Sequence, residues 1–207
     1  MQPAIGPQPA LGGPGVSDDC VFPLGPEAYR EAAGVLARAF WDDPVSLATI
    51  PGCRAEERVR RLTRVFYAIL VTGGPRRLPL CVRLDGRIVG VGIVHPPGTY
   101  PPSVGAQLAL SVRCLRAYGL RSYFRGARWT LALERWHPKA PHYYLETLGV
   151  EPGFQGQGIG SAIVRRMTGP ADWEHTGCYL ESSKARNVPL YERHGFVISR
   201  QIAPLGV

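Results

Sequence analysis

A chain of 207 residues, 45% of them apolar, is long enough for one domain with a core of its own. No apolar run has the length of a membrane span, and no basic residue precedes Arg30, so neither a spanning helix nor the charged start of a secretion signal is expected. The five cysteines are scattered and never form a C-x-x-C pair, which argues against a disulfide framework, against a zinc site and for a reduced, cytoplasmic protein. The formal charge of +8 comes almost wholly from arginine, because Lys139 and Lys184 are the only lysines. A basic surface attracts nucleic acid, membranes or phosphorylated small molecules. Nucleic-acid binding needs a motif as well as charge, and none is present.

Residues 1–19, rich in Pro, Gly and Ala, are expected to form a disordered tail, with one domain from 20 to 207. "CVFPL", Cys20 to Leu24, is a short strand candidate. The run from Gly25 to Pro44 predicts a helix with Pro26 near its first turn and a stop at Asp43-Pro44. Val59, Leu62, Val65, Phe66, Ile69 and Leu70 recur at helical spacing, so Ala55 to Val71 predicts a second amphipathic helix. "LPLCVRL" and "RIVGVGIVH" around Asp85-Gly86 predict a hairpin. Residues 96–141 form a long insertion with helical stretches at Val104 to Ala117 and Arg121 to Trp136. Its arginines and aromatics suit either a single-strand nucleic-acid surface or, the preferred reading, two amphipathic helices with aromatics inward. "HYYLETLGV" predicts a strand, "GIGSAIVRRM" a helix, "CYLES" a strand, "NVPLYERHG" a short helix and "FVISRQI" a last strand. The sum is a mixed α/β layer fold.

"QGQGIG" puts Gly156, Gly158 and Gly160 at alternate positions between a strand and a helix. Such a run lets an anion approach main-chain amides at a helix N-terminus. A Walker loop fails because no Lys follows the glycines. The dinucleotide fingerprint fails because Ser161 stands where its third Gly belongs and too little chain follows, although Glu181 is a passable strand acid.

The pattern V-x-P-x-x-Q-x-x-G-x-G, met by Val150, Pro152, Gln155, Gly158 and Gly160, resembles motif A of the GNAT superfamily of acyl-CoA-dependent N-acetyltransferases. "LESSKARNVPLYERHGF", Leu180 to Phe196, resembles the family's later motif, and with "AFWDDP" the chain looks most like the puromycin N-acetyltransferase-like branch. The resemblance implies a central mixed, mostly antiparallel sheet with one splayed strand, flanked by helices. It implies acetyl-CoA as cosubstrate and no metal. The amides of Gln155, Gly156, Gln157, Gly158, Ile159, Gly160 and Ser161 would face the pyrophosphate. Main-chain groups of Leu148, Gly149 and Val150 would pair with the pantetheine arm, and Asn187 would bond it or cap its own helix. Tyr191 would be the general acid, or an aromatic that packs the helix on the sheet. Glu146 would be the base, or the partner of an arginine. The family closes with two strands, whereas the sequence after Gly195 offers one, so the last strand is expected to be missing and an open edge leaves room for a homodimer.

The implied reaction is acetyl transfer to a primary amine of a small molecule, with the insertion walling the acceptor side. A protein N-terminus or lysine is the second enzymatic reading. The alternative from another class is a non-catalytic module that binds coenzyme A or nucleic acid.

Overall fold

The computed structural model describes residues 16–202. Five strands lie in chain order: β1 (Val21–Pro23), β2 (Leu78–Leu84), β3 (Arg87–His95), β4 (His142–Val150) and β5 (Gly177–Leu180). The first three pairings are antiparallel and β4–β5 is parallel, which is the mixed, mostly antiparallel sheet the resemblance implies. Asp85 and Gly86 turn the β2–β3 hairpin with φ of 49° and 76°. Two left-handed residues in succession give the turn whose twist matches its strands.

Helices cover both faces. α1 (Tyr29–Ala39) and α3 (Ala55–Thr72) pack on one, and α6 (Ile159–Trp173) on the other. β3 is central and is buried along both faces after its first residue, as its near-continuous apolar sequence requires. The approach of the helices is set by small residues in the strands. A Cβ on Gly90 would lie 2.4 Å from Ile159 Cγ2, and one on Gly92 would lie 2.4 Å from Ile163 Cγ2. A Cβ on Gly149 of β4 would lie 2.8 Å from Leu36 of α1. The N-terminal turns of α6 therefore sit directly on β3, and their height over the sheet is fixed.

Several expectations are corrected. The helix expected from Gly25 to Pro44 ends at Ala39, and Asp43-Pro44 opens a new helix, α2 (Pro44–Thr49). The Asp43 carboxylate accepts from the amides of Val45 and Ser46, with Pro44 in the first turn. The residues read as a stop are equally a start. "FVISRQI" forms no strand. Phe196 packs edge-on against Tyr191, Arg200 stacks 3.8 Å over the Trp136 ring, and Val197 is 86% exposed. Side-chain contacts hold this segment where a ladder was expected. In the insertion, α4 (Val104–Tyr118) and α5 (Leu120–Glu134) form as expected, but aromatics do not all turn inward. Tyr118, Tyr123 and Trp129 are half-buried, whereas Phe124, Trp136 and the leucines 108, 120 and 131 face out. Most of the expected tail lies outside the described residues. Its end, Asp18–Cys20, is a 3-10 turn held by the Arg165–Asp18 ion pair at 2.7 Å.

Gly92→Val should destabilise the protein by roughly 1–3 kcal/mol, because the added atoms overpack the α6 contact. The urea midpoint should fall with an unchanged slope; an unaltered midpoint would mean that α6 is free to lift off the sheet.

Candidate active site

β4 and β5 are paired only from His142↔Gly177 to Leu145↔Leu180. Beyond that, β4 runs on to Val150 while β5 ends, so the sheet opens into a wedge. The register with β3 also shifts there, because Ile93 pairs with Thr147 and Val94 with Leu145. Glu146 is the extra residue of this β-bulge, a device that re-aims a side chain and bends its strand. The Glu151 amide donates to Val89 on β3 at 2.8 Å. Strand alternation then directs the main-chain groups of Leu148 and Val150 to the open side of the wedge. The Val150 carbonyl already accepts from the Gln155 side chain at 3.1 Å. Gly149 also lines the cavity. Its main chain is turned to β3, and it serves chiefly to let α1 approach.

The wedge is a cavity of about 470 Å³ lined by Leu145 to Val150, by the glycine loop and by the β5–α7 connection. Gly156 and Gly158 have φ of 79° and 85°, and no atom lies within 4 Å of where a Cβ on Gly156 would be. The loop thus takes a left-handed path that only glycine follows without strain, and the ligand side is left open. Gly158 caps α6, and the first helical bond is Ala162 to the Gly158 carbonyl at 3.0 Å. The amides of Ile159, Gly160 and Ser161 have no partner inside the helix, as at any helix start. With the dipole behind them they form an anion-binding end. Gln155 and Ser161 line the cavity, whereas Gln157 is exposed and outside its lining. Arg193, unremarked in the sequence, lines the same cavity and adds a full positive charge.

α7 (Val188–Glu192) closes the far wall. Tyr191 is 9% exposed, lines the cavity and belongs to the core under α6. Burial pushes its phenol up to about 12. Asn187 precedes α7, yet its side chain makes no capping bond and lines the cavity.

Glu146 does partner an arginine. His95 Nε2 lies 2.8 Å from Glu146 Oε2, and Arg77 Nη1 lies 3.9 Å from the same oxygen. Arg77 is buried, also donates to the Leu70 carbonyl, and has its pKa lowered by burial against the pull of Glu146. His95 is 1% exposed, and its Nδ1 is buried without a partner. Arg77 and His95 were missed; the only signal was a polar residue ending an apolar strand.

A second set of contacts ties the α1–α2 corner to the β5–α7 connection. Lys184 Nζ pairs with Asp42 at 2.5 Å, Arg186 reaches the same carboxylate at 3.3 Å, and Ser183 donates to Asp43. Asp43, Ser183, Lys184 and Arg186 all line the cavity, so this strap forms one of its walls. The acids come from the "AFWDDP" stretch.

Residues 126–198, from within α5 to just past α7, match the acetyltransferase (GNAT) domain model. A crystal structure from Corynebacterium glutamicum, described as histone acetyltransferase HPA2 and related acetyltransferase, is 27% identical with a TM-score of 0.62, over 86% of this chain and 83% of that one. An uncharacterized N-acetyltransferase of Schizosaccharomyces pombe is 27% identical over 185 residues, covering 84% of this chain and 72% of that protein. The polyamine N-acetyltransferase of Drosophila melanogaster, at 15% identity and a TM-score of 0.54 over 84% of this chain and 81% of that one, shares the fold. The matched segment and the acetyltransferase relatives support an acyl-CoA-dependent acetyltransferase with a GNAT-type fold.

Asp43→Ala should cost about 1–2 kcal/mol, as loss of an N-cap does, and should loosen the strap as well. Asp43→Asn keeps a capping oxygen and should lose less. Equal losses in chemical denaturation would show that the cap contributes nothing.

Proposed function

We propose that this protein transfers an acetyl group from acetyl-CoA to the primary amine of a small molecule by direct attack, without a covalent enzyme intermediate. One observation carries the reading. A single continuous wedge joins an anion-binding helix end to a free strand edge, a buried phenol and a strand-bulge carboxylate. When bound, acetyl-CoA supplies the acyl group as an activated thioester. The amides of Gly156 to Ser161, with Arg193, hold its pyrophosphate. Leu148 and Val150 offer the main-chain edge to the pantetheine arm, as a strand would, and Asn187 faces the same arm.

Tyr191 keeps its proton at neutral pH. A phenol raised to about 12 gives that proton to a thiolate of ordinary basicity, about 8.5, only uphill. Its first service is therefore as a hydrogen-bond donor at the leaving sulfur, in a site where burial strengthens the bond. Glu146 receives the proton of the attacking amine, directly or through water, while His95 and Arg77 fix the carboxylate. The strap and the insertion wall the acceptor side, and the "AFWDDP" acids in that strap support placement in the puromycin N-acetyltransferase-like branch. The five free thiols suit a reducing, cytoplasmic setting. Among the described residues the outer edge of β5 has no strand beside it, and that edge is where a second copy would add.

The C. glutamicum structure's description as a histone acetyltransferase favours a protein lysine as the second reading of the acceptor.

Saturating acetyl-CoA should raise the thermal midpoint, and NAD should not. At 100 times the dissociation constant the gain is about 2.7 kcal/mol. Absence of that rise would remove the donor and the reading with it. Tyr191→Phe should keep the rise and lower kcat by roughly 10²–10³-fold. Unchanged turnover in that variant would confine Tyr191 to packing.

A further inference from the structure

β4 and β5 part after Leu145↔Leu180, and the next residue on each chain segment is a glutamate, Glu146 and Glu181. Two carboxylates thus stand at the apex of the wedge, and both line its cavity. Their surroundings differ. Glu146 has the Arg77 guanidinium and the His95 imidazole. Glu181 has no arginine or lysine within ion-pair distance among the described residues. The one basic ring within reach is His137, with Nδ1 at 3.8 Å, and burial lowers the pKa of His137 and so favours its neutral form.

The groups that face Glu181 are the phenols of Tyr144 and Tyr179, the His137 ring and, more distantly, the like charge of Glu134. Burial raises the Glu181 pKa, and the two phenols pull it part of the way back. A chain with 24 Lys and Arg has spare cations, yet none is placed against this carboxylate. The Glu181 side chain is 20% exposed, and a half-buried carboxylate without a cation carries a desolvation cost that a bound positive charge would offset. The rings around it suit a cation. Tyr100 stacks on His137 at 4.6 Å, and Tyr144 and Tyr179 meet the same imidazole edge-on at 4.8 and 4.9 Å.

We infer that Glu181 is the counter-ion for a positively charged acceptor, an alkylammonium or guanidinium group held at the wedge apex opposite Glu146. The inference rests on the acetyltransferase reading and narrows its acceptors to cationic amines over amines that are neutral at pH 7. Glu181 is a specificity-determining residue; the proton of the reacting nitrogen goes to Glu146.

The test compares two probes of equal length, 1,4-diaminobutane and 1,4-butanediol, by the thermal midpoint of the protein with and without coenzyme A. The diamine should raise the wild-type midpoint and the diol should not. Glu181→Gln should abolish the diamine rise while the acetyl-CoA rise persists, and Glu181→Asp should keep part of it. With a cationic acceptor that turns over, Glu181→Gln should raise KM by about tenfold or more and leave kcat within about threefold.

Unliganded Glu181→Gln gives a readout that a structural role would move the other way. A carboxyl with a raised folded pKa destabilises the protein once pH rises above that value, and has no such effect below its unfolded pKa. The variant should therefore melt above wild type at pH 8, with the gap closing towards pH 4. Equal response to diamine and diol, a diamine rise that survives in Glu181→Gln, or a fall in kcat with KM unmoved would each overturn the assignment. Should Glu181→Gln fail to fold, Glu181→Asp and Tyr179→Phe carry the same comparison, and an undiminished diamine rise in both has the same force. A missing acetyl-CoA rise in wild type counts against the acetyltransferase reading alone, since the diamine comparison without coenzyme A still decides Glu181.

Discussion

The contact on which the site depends is that of α6 with β3. Ile159 and Ile163 rest where Gly90 and Gly92 have no side chains. Any larger residue there would lift the first turns of α6 off the sheet. Those turns carry the unpaired amides, so the height of the helix over the sheet is also the position of the anion site. A dipole and three or four free amides act within the first turn only. Two glycines in a buried strand thus decide whether phosphate charge can be met at the mouth of the wedge. Gly149 does the same for α1 on the opposite face. The splayed strand is held between two helices that both approach closely, and it can part from β5 without losing its place.

How much of this could be read from the sequence follows from how local each feature is. The glycine loop was legible because its function is a backbone property, written in consecutive residues from Val150 to Gly160. Strands β2, β3 and β4 were legible over their full lengths, because β2 and β3 are joined by an Asp-Gly turn and β3 and β4 are rich in β-branched or aromatic residues. Local signals failed where they were ambiguous. Asp43-Pro44 reads as a helix stop and a helix start alike, and the fold uses it as a start, because α1 has already ended at Ala39. "FVISRQI" has strand composition, but a strand needs a partner, and Phe196 and Arg200 found side chains to pack on. The fate of Glu146 lay beyond local reading. Its partners come from the segment before β2 and from the end of β3, and the bulge that aims it is a register shift.

The charges follow the same logic of position. The excess of arginine gives little information as a sum, because most of it is spread on exposed faces. Where cations are placed with purpose they sit in pairs that hold the walls. Lys184 and Arg186 share Asp42 across the strap, Arg77 is buried against Glu146, and Arg38 grips Glu151 with two bonds of 2.7 and 2.8 Å at the end of β4. The last pair joins α1 to the residue just before the glycine loop. Exposed pairs of this kind add little to stability. Their value here is geometric, since each fixes one border of the wedge.

The groups that the fold leaves without partners gather in one region. The edge of β4 beyond Leu145 and the amides that open α6 line the wedge, Glu181 stands there with no cation beside it among the described residues, and the orphan Nδ1 of His95 belongs to the ring whose Nε2 holds Glu146. Among the described residues, Arg58 Nε is the other buried side-chain atom lacking a partner. Unpaired polar groups are expensive in a core, and scattering them would be the signature of poor packing. Concentrated along one cleft, they form a sequence of demands: anion at the helix end, extended polar arm along the strand, proton at the bulge, cation at the apex. Acetyl-CoA and a charged amine meet those demands in that order. The cost of leaving the groups open is recovered when the ligands bind, which is why an apo site of this kind is less stable than its core alone would allow.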